Sequence, residues 1–165
     1  MKQWDNTATG AVFSEDRKYR YALWRIWNTN RPKLLLIGLN PSKASEVKND
    51  PTITRGISRA DKEGFGGFFM ANLFGLVSTQ PEALLKNGNS VGELTDYWLK
   101  EIIKASERQL CGWGSFKPVK QRALVVLGMI KEPYCLGVNA DGQPKHPLYV
   151  SYDTPMVRYL VAIEK

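Results

Sequence analysis

The chain has 165 residues, 43% of them hydrophobic, with 23 Lys or Arg against 16 Asp or Glu and a formal net charge of +7 at pH 7. That length suits a single domain, 1–165, able to bury roughly 70% of the surface its unfolded chain exposes. No apolar run approaches the roughly 18 residues of a membrane span, and no charged start leads into an apolar signal segment, so a cytoplasmic location without a membrane partner is expected.

In chain order, residues 10–27 predict an antiparallel hairpin: Ala11-Val12-Phe13, a turn at Ser14-Glu15-Asp16, and a second arm from Tyr19 to Trp27. In that arm Tyr19, Tyr21 and Leu23 share one face and Arg20, Ala22, Trp24 and Ile26 the other, the period of a strand. Asn28 to Pro32 returns the chain to Leu34-Leu35-Leu36-Ile37-Gly38-Leu39, an unbroken apolar run of the kind a parallel sheet buries on both faces. It stops abruptly at Asn40-Pro41-Ser42. A polar loop from Lys43 to Asn49 then reaches Asp50, read as the N-cap of a helix with Pro51 in its first turn and Gly64 at its end. Phe68 to Phe74 is a second apolar strand, with Asn72 near its carboxyl end. Pro81 opens a short helix, and Ser90 to Glu107 spaces Leu94, Tyr97, Trp98, Ile102 and Ala105 as a long amphipathic one. Gln109 to Trp113 is a third strand ending at Gly114-Ser115. Val119 to Ile130 is a helix with Lys120 and Arg122 outward, and Tyr134 to Val138 is a fourth strand leading to the loop Pro144-Lys145-His146-Pro147-Leu148-Tyr149.

This alternation predicts an α/β fold: a three-layer α/β/α sandwich with a four-stranded, mainly parallel sheet and an N-terminal antiparallel hairpin. Ligands of such sheets bind outside the carboxyl ends of the strands, where Asn40, Ser42, Asn72, Trp113, Ser115 and His146 converge. His146 is the only histidine, so a site of several histidines or a Cys/His zinc cluster is excluded and no metal is expected. Cys111 and Cys135 lie far apart outside any CxxC pair and read as reduced, buried thiols. There is no GxxxxGK[ST], GxGxxG or GxSxG fingerprint, and no cofactor is expected. Ser42 or Ser115 could act as a nucleophile only with His146 as its base. The basic balance favours a polyanion, DNA or a nucleotide, with seven Lys or Arg against three acids in the first 33 residues.

The segments Gly38-Leu39-Asn40-Pro41-Ser42, Asn49-Asp50-Pro51-Thr52, residues 71–76 (ANLFGL), Trp113-Gly114, residues 135–137 (CLG) and residues 145–149 (KHPLY) resemble, across residues 10–159, a bacterial and phage family described as domain of unknown function 1643. More distantly the skeleton resembles the uracil-DNA glycosylase superfamily, which implies the fold of that superfamily and a base-processing hydrolase. By that resemblance Gly38 to Pro41 is a water-positioning motif, Asn72 reads the base, and the His146 to Tyr149 loop enters the duplex. The catalytic candidates are then Asn40 and His146. Gly38, Pro41, Ser42, Lys43, Asp50, Thr52, Arg55, Asn72, Trp113, Ser115 and Tyr149 are the candidate substrate contacts. Lys43 to Gly64 lacks the aromatic that stacks on a flipped base, leaving Phe65, Phe68 or Trp113 to substitute, and weak activity on plain uracil is expected. Two other readings stand beside this one: a non-catalytic nucleotide or nucleic-acid binding module, and an enzyme for a small nucleotide-like anion held by Lys43, Arg55 and His146.

Overall fold

A run of apolar residues without alternation has to be covered on both sides, and that requirement organises the molecule. The computed structural model describes residues 2–86 and 88–160. Its strands are β1 (Thr9–Phe13), β2 (Arg20–Ile26), β3 (Lys33–Gly38), β4 (Gly67–Asn72), β5 (Arg108–Cys111), β6 (Pro133–Cys135) and β7 (Val157–Arg158). Its α-helices are α1 (Pro51–Lys62), α2 (Ala83–Lys86), α3 (Thr95–Ala105) and α4 (Val119–Leu127), with short 3-10 turns at Gln3–Asp5 and Pro147–Tyr149.

The sheet is mixed and seven-stranded, in the order β1-β2-β4-β3-β5-β6-β7, which corrects the four-stranded expectation. β3 pairs in parallel with β4 and β5, and β5 with β6. The N-terminal hairpin does not stand apart. Its second arm is buried along nearly its whole length, and β2 docks antiparallel on β4, with Leu23 opposite Met70 and Ile26 opposite Gly67. β7 pairs antiparallel with β6 at the other edge.

The alternation of side chains sorts the core into two layers. Leu34, Leu36, Phe68, Met70 and Leu110 meet Ile53 and Ala60 of α1 on one face. Leu35, Ile37, Phe69, Ala71 and Cys111 meet Leu99 and Ile102 of α3 and Val119, Ala123 and Val126 of α4 on the other. Asp50 caps α1, its side chain accepting a hydrogen bond from Ile53 N at 3.0 Å, and Pro51 occupies the first turn.

Some elements are shorter than their periodicity predicts. α3 begins at Thr95 because residues 90–92 bend away from a helical path: Gly75 N donates to Val91 O, Leu76 N donates to Ser90 O, and Gly92 has φ +94°. Arg122 does not point outward; it donates to Leu73 O at 2.7 Å and to Asp96 Oδ1 at 2.5 Å. The basic N-terminal run is also drawn inward. Arg20 and Arg25 are buried, while Arg17 and Lys2 form ion pairs with Glu46 and Glu101. Both cysteines are free and buried, and burial pushes both thiols upward, which leaves them neutral. Among the described residues no helix is long and apolar enough to cross a membrane, and no group of three or more His, Cys, Asp or Glu could hold a metal ion.

Candidate functional site

Because β3 to β6 run in parallel, their carboxyl ends open on one edge of the sheet. Gly38 at the end of β3 lies opposite Asn72 at the end of β4. Beyond them, Leu73 N donates to Gly38 O and Phe74 N to Leu39 O, so the two chains continue as a pair into the loops. Between these loops, the segment after β5 and the turn holding His146 lies an inner chamber of about 230 Å³. It is lined by Gly38, Asn40, Ser42, Asp50, Thr52, Asn72, Trp113, His146 and Tyr149, and also by Arg20, Leu39, Ile53, Met70 and Pro81. A wider outer chamber of about 390 Å³ shares Leu39, Pro81, Trp113, His146 and Tyr149 with it and adds Ser115, Phe116, Asn139 and Lys145.

Asn40 is held in one orientation. Its Nδ2 donates to Pro41 O at 3.2 Å, Leu76 O at 3.2 Å and Ser78 O at 3.0 Å. Carbonyls accept and never donate, so the amide cannot flip, and Oδ1 is the atom left to accept from a ligand or water. The side chain thus also staples the β3 turn to the loop after β4, a structural duty the sequence reading did not assign.

His146 precedes the Pro147–Tyr149 turn, and its Nδ1 accepts from Leu148 N at 3.1 Å. In the neutral ring that bond leaves the proton on Nε2. Burial pushes the imidazole below its ordinary value, with the Asp50 carboxylate pulling weakly the other way, so the ring is neutral at pH 7. Tyr149, 85% exposed, stands at the rim with its ring centroid 5.7 Å from that of His146. Asp50 is the single acid among the lining residues of the inner chamber.

Three candidates line neither chamber. Pro41 is buried and contributes its carbonyl to Ser78 N. Lys43 is exposed on the loop beyond. Arg55 is occupied elsewhere: Nε donates to Pro147 O at 3.1 Å, Nη2 donates to Val150 O at 2.5 Å, and its guanidinium stacks on Tyr152 at 4.0 Å. With Arg59, which donates to Thr154 O and Ser151 O, it holds the loop that carries His146 and Tyr149. Ser115 reaches only the outer chamber, and its hydroxyl donates to Asp141 and accepts from Asn139. Of the three proposed stacking substitutes, Phe65 and Phe68 belong to the core on the α1 side, and Trp113 alone lines the cleft, with Nε1 donating to Gln143 Oε1 at 2.8 Å.

The residue that sequence reasoning missed is Arg20. It is 2% exposed, lines the inner chamber, and donates to Ala44 O at 3.2 Å and to Asn72 Oδ1 at 3.4 Å. Burial pushes its guanidinium down to about 10, still protonated at neutral pH. A cation opening a strand that is otherwise largely apolar was the available signal.

A family model described as "Protein of unknown function (DUF1643)" matches residues 20–148, a span that holds every candidate except Tyr149. No curated protein and no solved structure matches the chain.

Proposed function

The chain belongs to the family of proteins of unknown function DUF1643, and within that family we propose that the cleft hydrolyses the N-glycosidic bond of a nucleobase presented by a nucleic acid. One observation carries this reading: a neutral imidazole N–H, an oriented amide oxygen and a carboxylate, from His146, Asn40 and Asp50, line one base-sized chamber. A chamber of about 230 Å³ falls below the roughly 300–1,000 Å³ of sites for larger ligands, which suits a base extruded from its strand. The distant resemblance to uracil-DNA glycosylases supports the water-positioning role of Asn40, and by it Asn72 reads the base and the His146 to Tyr149 loop enters the duplex.

The chemistry follows from the protonation states. As the C–N bond breaks, its electron pair goes to the departing base, and His146 Nε2–H is a donor suited to that developing charge. A neutral imidazole serves here without first having to gain a proton. Water attacks the sugar carbon, donating one hydrogen bond to Asn40 Oδ1 and losing its proton to Asp50. Before that transfer the Asp50 carboxylate also favours the cationic sugar. Tyr149 at the rim is placed to stack on the strand, and Lys145 in the outer chamber to meet a phosphate.

Oligonucleotides carrying uracil, hypoxanthine, xanthine or hydroxymethylated pyrimidines, incubated with the protein and then treated with alkali, test this directly. Strand breaks at the modified position are expected, with rates steady at neutral pH and falling as pH drops below the ordinary histidine range, where a proton on Nδ1 removes the bond from Leu148 N that positions the ring. Binding without a break at any position would reject the hydrolase and leave a binding module.

Gly38 supplies a second test. A Cβ there would stand 2.7 Å from Met70 Cε and 3.1 Å from Asn72 Nδ2. Gly38→Ala is expected to weaken oligonucleotide binding by about tenfold or more, since one misplaced methyl group costs roughly 1–3 kcal/mol in a fitted pocket. Fluorescence anisotropy measures it, and unchanged affinity would place the ligand away from Asn72.

A further inference from the structure

We infer that the inner chamber binds inorganic hydrogen phosphate, with Arg20 drawing in the charge and Asp50 accepting a hydrogen bond from the proton that this anion keeps. The inference goes beyond the nucleobase reading and does not depend on it. Phosphate is a second ligand for the chamber, competing there with the base.

Two buried cations start the argument. Arg20 is 2% exposed and Arg25 6%, and both reach the loop that precedes α1. Arg20 donates to Ala44 O, and Arg25 donates to Ser45 O, Lys48 O and Asn49 Oδ1. Those acceptors are neutral, and among the described residues no carboxylate forms an ion pair with either guanidinium. Asp50 and Arg25 act on Arg20 through their fields, with opposite signs. Glu46, whose field also reaches Arg25, is committed to Arg17. The two guanidiniums thus face one uncommitted carboxylate, and a positive charge is left over. Burying charge without a counter-ion is costly, and apolar side chains of similar volume would avoid the cost. Departures of this kind from folding physics concentrate at functional sites.

The unfilled hydrogen-bonding atoms describe the ligand. Arg20 Nε and Asn72 Nδ2 are buried without a partner, both residues line the chamber, and both atoms are donors. The same lining holds the hydroxyls of Ser42 and Thr52 and the Nε2–H of His146. Asp50 stands alone among them as an acid. Its Oδ1 accepts from Ile53 N, so Oδ2 is the carboxylate oxygen left to accept. Such a lining suits an anion with several bare oxygens and one hydroxyl.

Hydrogen phosphate has that pattern. Its unprotonated oxygens accept from Arg20, Asn72 and the hydroxyls in charge-assisted bonds, and its remaining oxygen carries the proton that points to Asp50. Sulfate has the same shape but no proton at neutral pH, so one of its oxygens would meet the carboxylate with like charge against like. A phosphomonoester, with a second pKa of about 6, has mostly lost the proton at pH 7. The chamber therefore separates the free ion from both.

Isothermal titration calorimetry at pH 7 and constant ionic strength, with sodium phosphate, sodium sulfate or methyl phosphate as the only ligand, tests this on the whole chain. Phosphate is expected to bind once per chain and roughly tenfold or more tightly than sulfate, the worth of one charged hydrogen bond, with methyl phosphate also weaker than phosphate. Arg20→Met removes the cation while filling its space; it is expected to stay folded and to lose roughly tenfold or more in phosphate affinity. Asp50→Asn keeps the helix cap and offers an amide N–H to either anion, so sulfate is expected to draw level with phosphate. Lys43→Ala, at an exposed lysine lining neither chamber, should leave both affinities unchanged. Absence of phosphate binding, or equal affinity for phosphate and sulfate in the unaltered chain, would overturn the inference. So would a loss in Lys43→Ala as large as in Arg20→Met, which would make the binding a surface effect. Should Arg20→Met fail to fold, Asp50→Asn decides: undiminished rejection of sulfate there would equally overturn it. None of these readouts involves base release, so the nucleobase reading stands or falls by the oligonucleotide assay alone.

Discussion

Asp50→Asn is expected to slow base release by about 10²–10⁴-fold, the usual contribution of a positioned proton acceptor, with the fold unchanged. Asparagine caps a helix as well as aspartate does and can still accept from Ile53 N, so α1 should start where it does now. What disappears is the one carboxylate lining the inner chamber. Single-turnover cleavage of the best oligonucleotide, paired with a thermal melt, separates the two effects. An unaltered rate would reduce Asp50 to a helix cap. Asn40→Ala is a poorer probe of the same step. Its Nδ2 bonds to three backbone carbonyls, so rate and stability should fall together, the latter by roughly 1–3 kcal/mol.

Arg55→Ala is expected to cost about 3 kcal/mol in stability, since it removes two charged hydrogen bonds at roughly 1.5–3 kcal/mol each, with partial compensation by water. The residues it releases are Pro147 and Val150, on either side of the exposed Tyr149 and next to His146. Binding and turnover should therefore decline together as the loop loosens. Chemical denaturation and faster proteolysis within residues 146–154 would register this. A variant with unchanged stability but lost affinity would instead make Arg55 a ligand contact, the role its sequence position suggests. Arg59→Ala should act in the same direction, because its guanidinium bonds to Ser151 O and Thr154 O in the same segment.

The elements that were legible are those governed by neighbours along the chain. Asp50 and Pro51 mark the start of α1 through capping and a preset φ, both local effects. The apolar runs at Leu34 and Phe68 reveal strands because burial on both faces removes the need for alternation. From strand ends alone it also follows that Asn40, Asn72, Trp113 and His146 open on one edge, since parallel strands share a direction.

Tertiary pairing decided the rest. Nothing local says that β2 lies antiparallel against β4, a contact between residues as far apart as Leu23 and Met70. Yet that pairing carries the first residue of β2 to the carboxyl edge of β4 and makes Arg20 part of the site. Arg55 shows the converse. Its place after Asp50-Pro51-Thr52 suggests a ligand contact, but the chain returning at Pro147 and Val150 offers buried carbonyls that claim the guanidinium. Sequence by itself determined the central strands, the helices between them and which of those strand ends meet, because propensity, capping and periodicity act over a few residues. Only the tertiary structure decided which charged side chains face the cleft and which fasten its walls, because a polar group turns toward partners that folding brings from far along the chain.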